Sequence, residues 1–393
     1  MSHRILKMIM PLFVFSGMQA QDHLDTILDA VAKNNKSLLA NRQYWEAKKL
    51  EYRTGIYLSD PVIQYQYLSG APESAGNQNE WLAIQAFDFP TVYGHKRKLA
   101  REQSAWSDHM LTASRQDVLL EAKLSFLDLV YRNKLKAALS ERRVKLEKLV
   151  QDFQRQLDQG EGNILDLNKV KLQLMETMQR IQENDAAHNR QLLHLTELNG
   201  GETLAIPDTV YPKEQAIPPF EELERAYELA DPRLKGLEQE LHVADRQLKL
   251  EKAMRLPRFE AGYRYQSILD QKFNGIHAAV RVPLWEHKNR VRHQRAKLDY
   301  QVQQLTAHRT EHYLEIREWY DEMSLLKENL ELYRSVIPQL QHVQLLDKAL
   351  KLGELSTSEY FLEISYQEQA FMQYLKTEHD YHATLAQLNQ YKL

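Results

Sequence analysis

The sequence predicts a mainly α-helical, internally duplicated chain that carries four β-strands between two very long helical hairpins. Three observations predict it. Lys96 to Gln159 contains neither glycine nor proline, and as one helix would reach roughly 95 Å at about 1.5 Å per residue. Short stretches with period two rather than 3.6 precede each long helical pattern. The landmarks of the first half return in the second at a nearly constant offset: Pro257 follows Pro61 by 196 residues, and Gly353-Glu354 follows Gly160-Glu161 by 193. Internal repeats of this kind decide the fold class before any local reading does.

Composition agrees with long helices. Gln, Glu, Lys, Leu and Ala dominate the 393 residues, with only 13 Gly and 12 Pro, a long-helix profile. The 51 basic and 54 acidic residues are interspersed and leave a net charge of −3, so no basic patch points to nucleic acid. Cysteine is absent, which excludes disulfides, zinc thiolates, cysteine nucleophiles and a lipidated N-terminal cysteine.

The N-terminus reads as a secretory signal over residues 1–20. Arg4 and Lys7 form its charged region, Met8 to Gly17 its short apolar region, and cleavage after Ala20 leaves Gln21 first. No later segment has the roughly 20 apolar residues of a spanning helix. A membrane-embedded form of this chain must therefore use strands.

The first repeat spans residues 21–200. From Asp22 to about Leu58 the pattern is helical, interrupted at Asn34-Asn35-Lys36-Ser37 with Ser37 as the expected cap, and Asp60-Pro61 as its end. Val62 to Leu68 alternates Ile63, Tyr65 and Tyr67 against Gln64 and Gln66. After the Gly/Ser/Asn-rich loop Ser69 to Asn79, Trp81 to Phe89 alternates less cleanly and stops at Pro90. These are the signals of a hairpin. The long helix follows, with Leu120, Leu124, Leu127, Tyr131, Leu135, Ala138, Arg142, Leu146, Leu149 and Phe153 as an apolar seam whose polar exception is Arg142. It turns at Gly160-Glu161-Gly162-Asn163 and returns from Ile164 to Leu198, closed by Asn199-Gly200-Gly201.

Residues 201–219 hold four prolines and form the inter-repeat linker. The second repeat, residues 220–393, breaks its first helix at Asp231-Pro232. Arg258 to Tyr265 then alternates Phe259, Ala261, Tyr263 and Tyr265 against Arg258, Glu260, Gly262 and Arg264. After the loop Gln266 to Gly275, Ile276 to Val282 alternates apolar residues against His277, Ala279 and Arg281. A long helix runs to Leu352 with a kink or break expected at Pro338. It turns at Gly353-Glu354-Leu355-Ser356 and returns from Thr357 to Leu388.

Each half thus offers two strands of about 8–10 residues, enough to cross a bilayer core when tilted. One face is apolar with several Tyr, Phe and Trp, and the other polar. Gln64, Gln66, Glu260, Arg264, His277 and Arg281 are the candidates for a water-filled barrel lumen. Four strands cannot close a transmembrane barrel, and open edges in lipid are forbidden. Three chains would supply twelve strands, enough to enclose a passage.

At this point the chain resembles the TolC-type outer-membrane efflux family across essentially its whole mature length. The resemblance is carried by the doubled plan and by the Asp231-Pro232 entry to PRLKGLEQELHVADRQLKLEKAMRLPRFEAGYRY. The exit VRVPLWEHKNRVRHQRAKLD and the stretch VIPQLQHVQLLDKALKLGELSTSEYFLE add to it. It implies a homotrimer with a 12-stranded β-barrel in the outer-membrane lipid of a Gram-negative bacterium and a long α-helical coiled-coil barrel across the periplasm. The duct would serve a tripartite efflux or type I secretion system, conducting passively what an inner-membrane pump expels through a periplasmic adaptor protein. It implies no cofactor, no bound metal and no enzymatic activity. The tips at 160–163 and 353–356 would dock the adaptor. Six residues beyond each tip glycine stand Asp166 and Glu359, which the resemblance places at the tunnel mouth, with Glu363 close by and Leu362 where relatives can carry a second acid. A ring of carboxylates there would favour cations. Leu157 and Leu350 occupy positions where relatives usually have an aromatic.

Two other readings compete. The chain could be a soluble periplasmic coiled-coil scaffold with incidental strands. His308-Arg309-Thr310-Glu311-His312 also matches the HxxEH pattern of zinc peptidases, with His379 and His382 as imaginable further partners.

Overall fold

The computed structural model describes residues 10–213, 216–340 and 343–393. In chain order the elements are Met10–Asn34 (α1), Lys36–Tyr52 (α2), Val62–Leu68 (β1), Gln78–Phe87 (β2), Pro90–Asp158 (α3) and Ile164–Leu198 (α4). Then come Phe220–Ala230 (α5), Pro232–Ala253 (α6), Arg258–Ile268 (β3), Gln271–Arg281 (β4), Arg290–Leu340 (α7), Val343–Lys351 (α8) and Thr357–Leu388 (α9). Among the described residues no helix is long and apolar enough to cross a membrane. Arg4 and Lys7 of the expected signal lie outside the described residues; α1 runs through the expected cleavage point after Ala20.

Helix ends are set by local chemistry, and several are corrected. The first interruption is a single residue, Asn35, and it rather than Ser37 caps α2: the Leu38 backbone N–H donates to its Oδ1 at 2.9 Å. Its own side-chain amide donates to the Leu198 carbonyl at 2.8 Å. In the second half, Asp231 accepts from the N–H groups of Arg233 and Leu234, with Pro232 opening the helix. Helix α2 ends at Tyr52, six residues before the expected end. Gly55 lies just beyond with φ 67°, a left-handed conformation that stops a helix ahead of Asp60-Pro61. Pro338 lies inside α7.

The chain divides into two compact units, each drawing on both halves of the sequence. One comprises Met1–Leu39, Ser114–Leu229 and Tyr313–Leu393; the other comprises Ala40–Ala113 and Ala230–His312.

The first unit is helical. Leu24, Ile27 and Val31 of α1 pack on Leu119, Ala122, Phe126, Leu129 and Val130 of α3 and on Leu195 and Leu198 of α4, with Ile206 and Tyr211 from the linker segment. Phe126, Leu129 and Val130 are fully buried. Helix α3 is thus enclosed on more than the seam read from its periodicity. A second core joins Phe220, Leu223 and Tyr227 of α5 to Ile316, Met323 and Leu330 of α7 and Tyr381, Leu385 and Leu388 of α9. Each such side chain contributes about 1.5–3 kcal/mol when fully buried.

The second unit holds the sheet, ordered β1-β2-β3-β4 and antiparallel throughout. Strand β2 starts earlier than expected, at Gln78, and β3 and β4 meet almost directly. The expected loop from Gln266 to Gly275 is instead a two-residue turn, Leu269-Asp270, with φ of 50° and 62°. Tight hairpin turns of this hand usually carry Asn or Gly, which is why the pattern of Leu-Asp did not reveal one. Val92 and Leu99 of α3 pack on Leu250 and Ala253 of α6. Glu102 of α3 accepts from Gln239 at 2.9 Å and pairs with Arg246 of the same helix α6 at 3.3 Å.

Candidate functional site

The register of the sheet sorts its side chains by chemistry. Directly paired residues of an antiparallel ladder point to the same face. Gln64 pairs with Leu82, and Leu82 with Arg264; Gln66 pairs with Glu80; His277 with Gly262; Glu260 with Ala86 and Ala279; Arg281 with Arg258. All six residues expected on the polar side therefore share one face. Two cross-strand ion pairs lie on it, Arg264 Nε to Glu80 Oε1 at 2.8 Å and Arg281 Nη2 to Glu260 Oε1 at 3.5 Å. Glu80 was not singled out by the sequence, because alternation in its strand is poor; its pairing with Arg264 comes from a partner far along the chain.

The opposite face carries Ile63, Ala83, Tyr263 and Ile276 in one row. On one side of it lies the row Tyr65, Trp81 and Tyr265, and beyond the other side the row Phe87, Phe259 and Val280. The Tyr65 and Trp81 rings are 4.7 Å apart, and those of Phe87 and Phe259 stack at 5.8 Å. Ile276 is 90 % exposed, and Tyr263 and Val280 are exposed too. Gln85, paired with Ala261, stands between the row of Ala83 and that of Phe87, and exposed apolar rows of this kind suit contact with lipid or protein. Among the described residues, strands β1 and β4 each have a single neighbour, so one row of backbone donors and acceptors on each is unpaired there.

The helical turns of the first unit are built alike. Gly160 (φ 76°) and Gly353 (φ 72°) adopt the left-handed conformation. Glu161 N–H donates to the Gln156 carbonyl and Gly160 N–H to Leu157. Likewise Glu354 donates to Ala349 and Gly353 to Leu350. These are paired hydrogen bonds of a glycine-terminated helix. Gly162 has a different reason: a Cβ there would meet the Leu157 backbone nitrogen at 2.6 Å.

Beyond the turns the two hairpins differ. Asn163 caps α4 by accepting from Leu165 N–H at 2.9 Å. Ser356 caps α9 through a reciprocal pair. Its Oγ accepts from Glu359 N–H at 3.3 Å, and Glu359 Oε2 accepts from Ser356 N–H at 2.9 Å. Glu359 is thus held at the turn, and these hydrogen bonds lower its carboxyl below the ordinary range. The Asp166 carboxylate instead pairs with Lys169 at 3.3 Å. Leu355 is half-buried, whereas Glu161, Glu354, Leu362 and Glu363 are exposed. Leu350 packs with Leu146, Val170, Tyr360 and Phe361 in a core behind the turns, and the Tyr360 hydroxyl donates to Asp347 at 2.7 Å.

Deeper in this unit, Arg142 is the centre of a charged cluster. Its Nη1 pairs with Glu368 of α9, its Nη2 donates to Gln173 Oε1 at 2.8 Å, and its Nε to Thr177 Oγ1 at 3.1 Å, both on α4. Arg180 approaches the same Glu368 at 3.7 Å. A seam arginine announces a buried partner, but periodicity cannot say which.

Another buried pair, Lys134 with Glu378, lies beside the Tyr211 ring, on which His382 stacks at 4.1 Å. Burial, followed by Lys134 and Arg334, pushes the His382 ring down to about 3 from its ordinary 6.5. A depressed histidine stabilises the fold fully above its unfolded pKa, and that contribution is lost as pH falls from about 6.5 towards 3. Stability should therefore fall by up to about 1.4 kcal/mol per pH unit across that window. His382→Phe, which keeps the stack, should flatten the slope when unfolding is followed by circular dichroism at pH 7, 5 and 4.

The HxxEH residues lie within α7. His312 Nε2 is 3.4 Å from Asp231 Oδ2, the cap of α6, and its ring centroid is 5.7 Å from that of His308. Among the described residues no group of three or more His, Cys, Asp or Glu is placed to hold a metal ion. His379 pairs with Asp380 at 3.0 Å and with Asp128 at 3.8 Å.

No protein-family profile matches the sequence, and no curated protein matches it either. Solved structures do match in fold. CusC, described with its transmembrane channel formation, superposes with a TM-score of 0.80 at 12% identity, covering 94% of this chain and 92% of that one. The CmeC outer membrane channel of Campylobacter jejuni gives 0.79 at 14% identity, over 94% and 85%. The open state of the MtrE outer membrane channel of Neisseria gonorrhoeae gives 0.73 at 11% identity, over 94% and 88%. This chain has the fold of those channels.

Proposed function

We propose that this chain is the outer-membrane duct of a tripartite efflux or type I secretion system in a Gram-negative bacterium. It works as a homotrimer that takes substrate from an inner-membrane pump through a periplasmic adaptor. The observation that carries the reading is the register of the sheet. It places Gln64, Gln66, Glu260, Arg264, His277 and Arg281 on one face and the aromatic rows of Tyr65 and Phe87 on the other, and among the described residues it ends in two unpaired edges. Such a sheet suits lipid on one side and water on the other only if other copies complete it. The fold shared with channel structures supports the same reading.

In this reading the three sheets close into a twelve-stranded barrel, and the long helices assemble into a tunnel. The turns at Gly160-Glu161-Gly162-Asn163 and Gly353-Glu354-Leu355-Ser356 meet the adaptor. Asp166, Glu359 and Glu363 lie at the mouth, where a threefold ring of carboxylates lowers the local potential. The duct performs no covalent chemistry and needs no cofactor; the pump supplies energy and selects the substrate.

Fractionation tests the reading. The protein should sediment with the outer membrane and run as an oligomer in detergent gels until boiled. Recovery as a soluble periplasmic monomer would overturn it and favour a scaffold. In planar bilayers, Glu359→Ala should raise single-channel conductance or weaken cation selectivity; no change in either would remove Glu359 from the mouth.

A further inference from the structure

Asp166 and Glu359 are not equivalent, and the residue that separates them is Lys169. It lies one helical turn beyond Asp166 on α4, with its Nζ 3.3 Å from Asp166 Oδ1. The same ammonium donates to Ser358 Oγ at 2.7 Å. Ser358 stands next to Glu359 on α9, so one cation both neutralises the acid of the first hairpin and ties that hairpin to the second. Among the described residues Glu359 has no ion-pair partner. Its carboxylate is occupied by the Ser356 backbone N–H at its own turn and it keeps its negative charge.

We infer that Lys169 is a selectivity-determining residue of the duct: it cancels the Asp166 carboxylates, so that the mouth presents the carboxylates of Glu359 and Glu363 without a further ring from Asp166. This rests on the duct reading above and on the turns forming its mouth. The physical argument is one of number. Three paired Asp166–Lys169 sites contribute little net potential, whereas three bare carboxylates facing an aqueous constriction add to those of Glu359 and draw in cations. Lys169 is exposed, and surface pairs of this kind contribute only about 0–1 kcal/mol to folding, so its replacement leaves the fold intact.

The test is reversal potential across a planar bilayer under a KCl gradient, with the purified full-length protein. Lys169→Met should raise the cation-to-anion permeability ratio by about two- to three-fold at moderate salt. Lys169→Arg should keep the wild-type ratio, and Lys169→Met combined with Asp166→Asn should restore it. A Lys169→Met channel that conducts with an unchanged ratio overturns the inference while leaving the duct intact. A ratio that stays raised in the double variant overturns it as well, because the effect would then not act through Asp166. A wild-type protein that forms no channel at all overturns the duct reading, and this inference with it.

Discussion

Arg142→Leu should destabilise the helical unit by about 3 kcal/mol, the lower end of the range for breaking a buried ion pair by removing one partner. The cost arises on the partners left behind. Glu368, 14 % exposed in its side chain, would keep its charge with only the more distant Arg180 at 3.7 Å. Gln173 and Thr177 would each lose a donor. Removing both charges, Arg142→Leu with Glu368→Leu, should recover most of the loss, since an apolar pair carries no desolvated charge. Urea unfolding of the detergent-solubilised protein measures both. Equal destabilisation of the single and double variants would mean that packing rather than charge holds the three helices together.

The second large effect lies on the sheet. Ala83→Arg places a charge in the row shared with Ile63, Tyr263 and Ile276, between the two aromatic rows. Arginine near the midplane of a lipid-facing strand costs about 2–4 kcal/mol, incurred once per chain and so three times in the proposed assembly. Its neighbour Ile84 points to the opposite face, paired with Val62 and Gly262, and Ile84→Arg should be tolerated. The boiling-sensitive oligomer in outer-membrane fractions provides the readout: Ala83→Arg should abolish it and Ile84→Arg preserve it. The reverse order would exchange the lipid and water faces.

What could be read from the sequence was what short-range chemistry decides. Ile164 and Thr357 begin their helices where Asn163 and Ser356 announce them, because a cap acts over three residues. The six polar strand residues fall on one face because period two survives any shift of two in register. The hairpin between β3 and β4 escaped for the opposite reason. Lys272, Asn274 and Gly275 have the composition of a loop, and they are strand because each pairs with a residue of β3. The distant partners of Arg142 and Lys169 escaped too. Glu368 lies 226 residues from Arg142 and Ser358 lies 189 from Lys169, distances at which no pattern in one chain assigns a contact.

The sheet's two bare edges also have a bearing on how the molecule comes into being. If the chain is the proposed duct, a lone copy would arrive at the membrane with two rows of backbone amides that neither lipid nor its own strands can satisfy. Barrel folding and subunit encounter must then be one event, in which each chain serves as the template for the next. The stability of the sheet becomes a function of how many copies are present. Halving expression would lower the yield of assembled ducts by more than half, and the unassembled strands would be the aggregation-prone fraction of the chain.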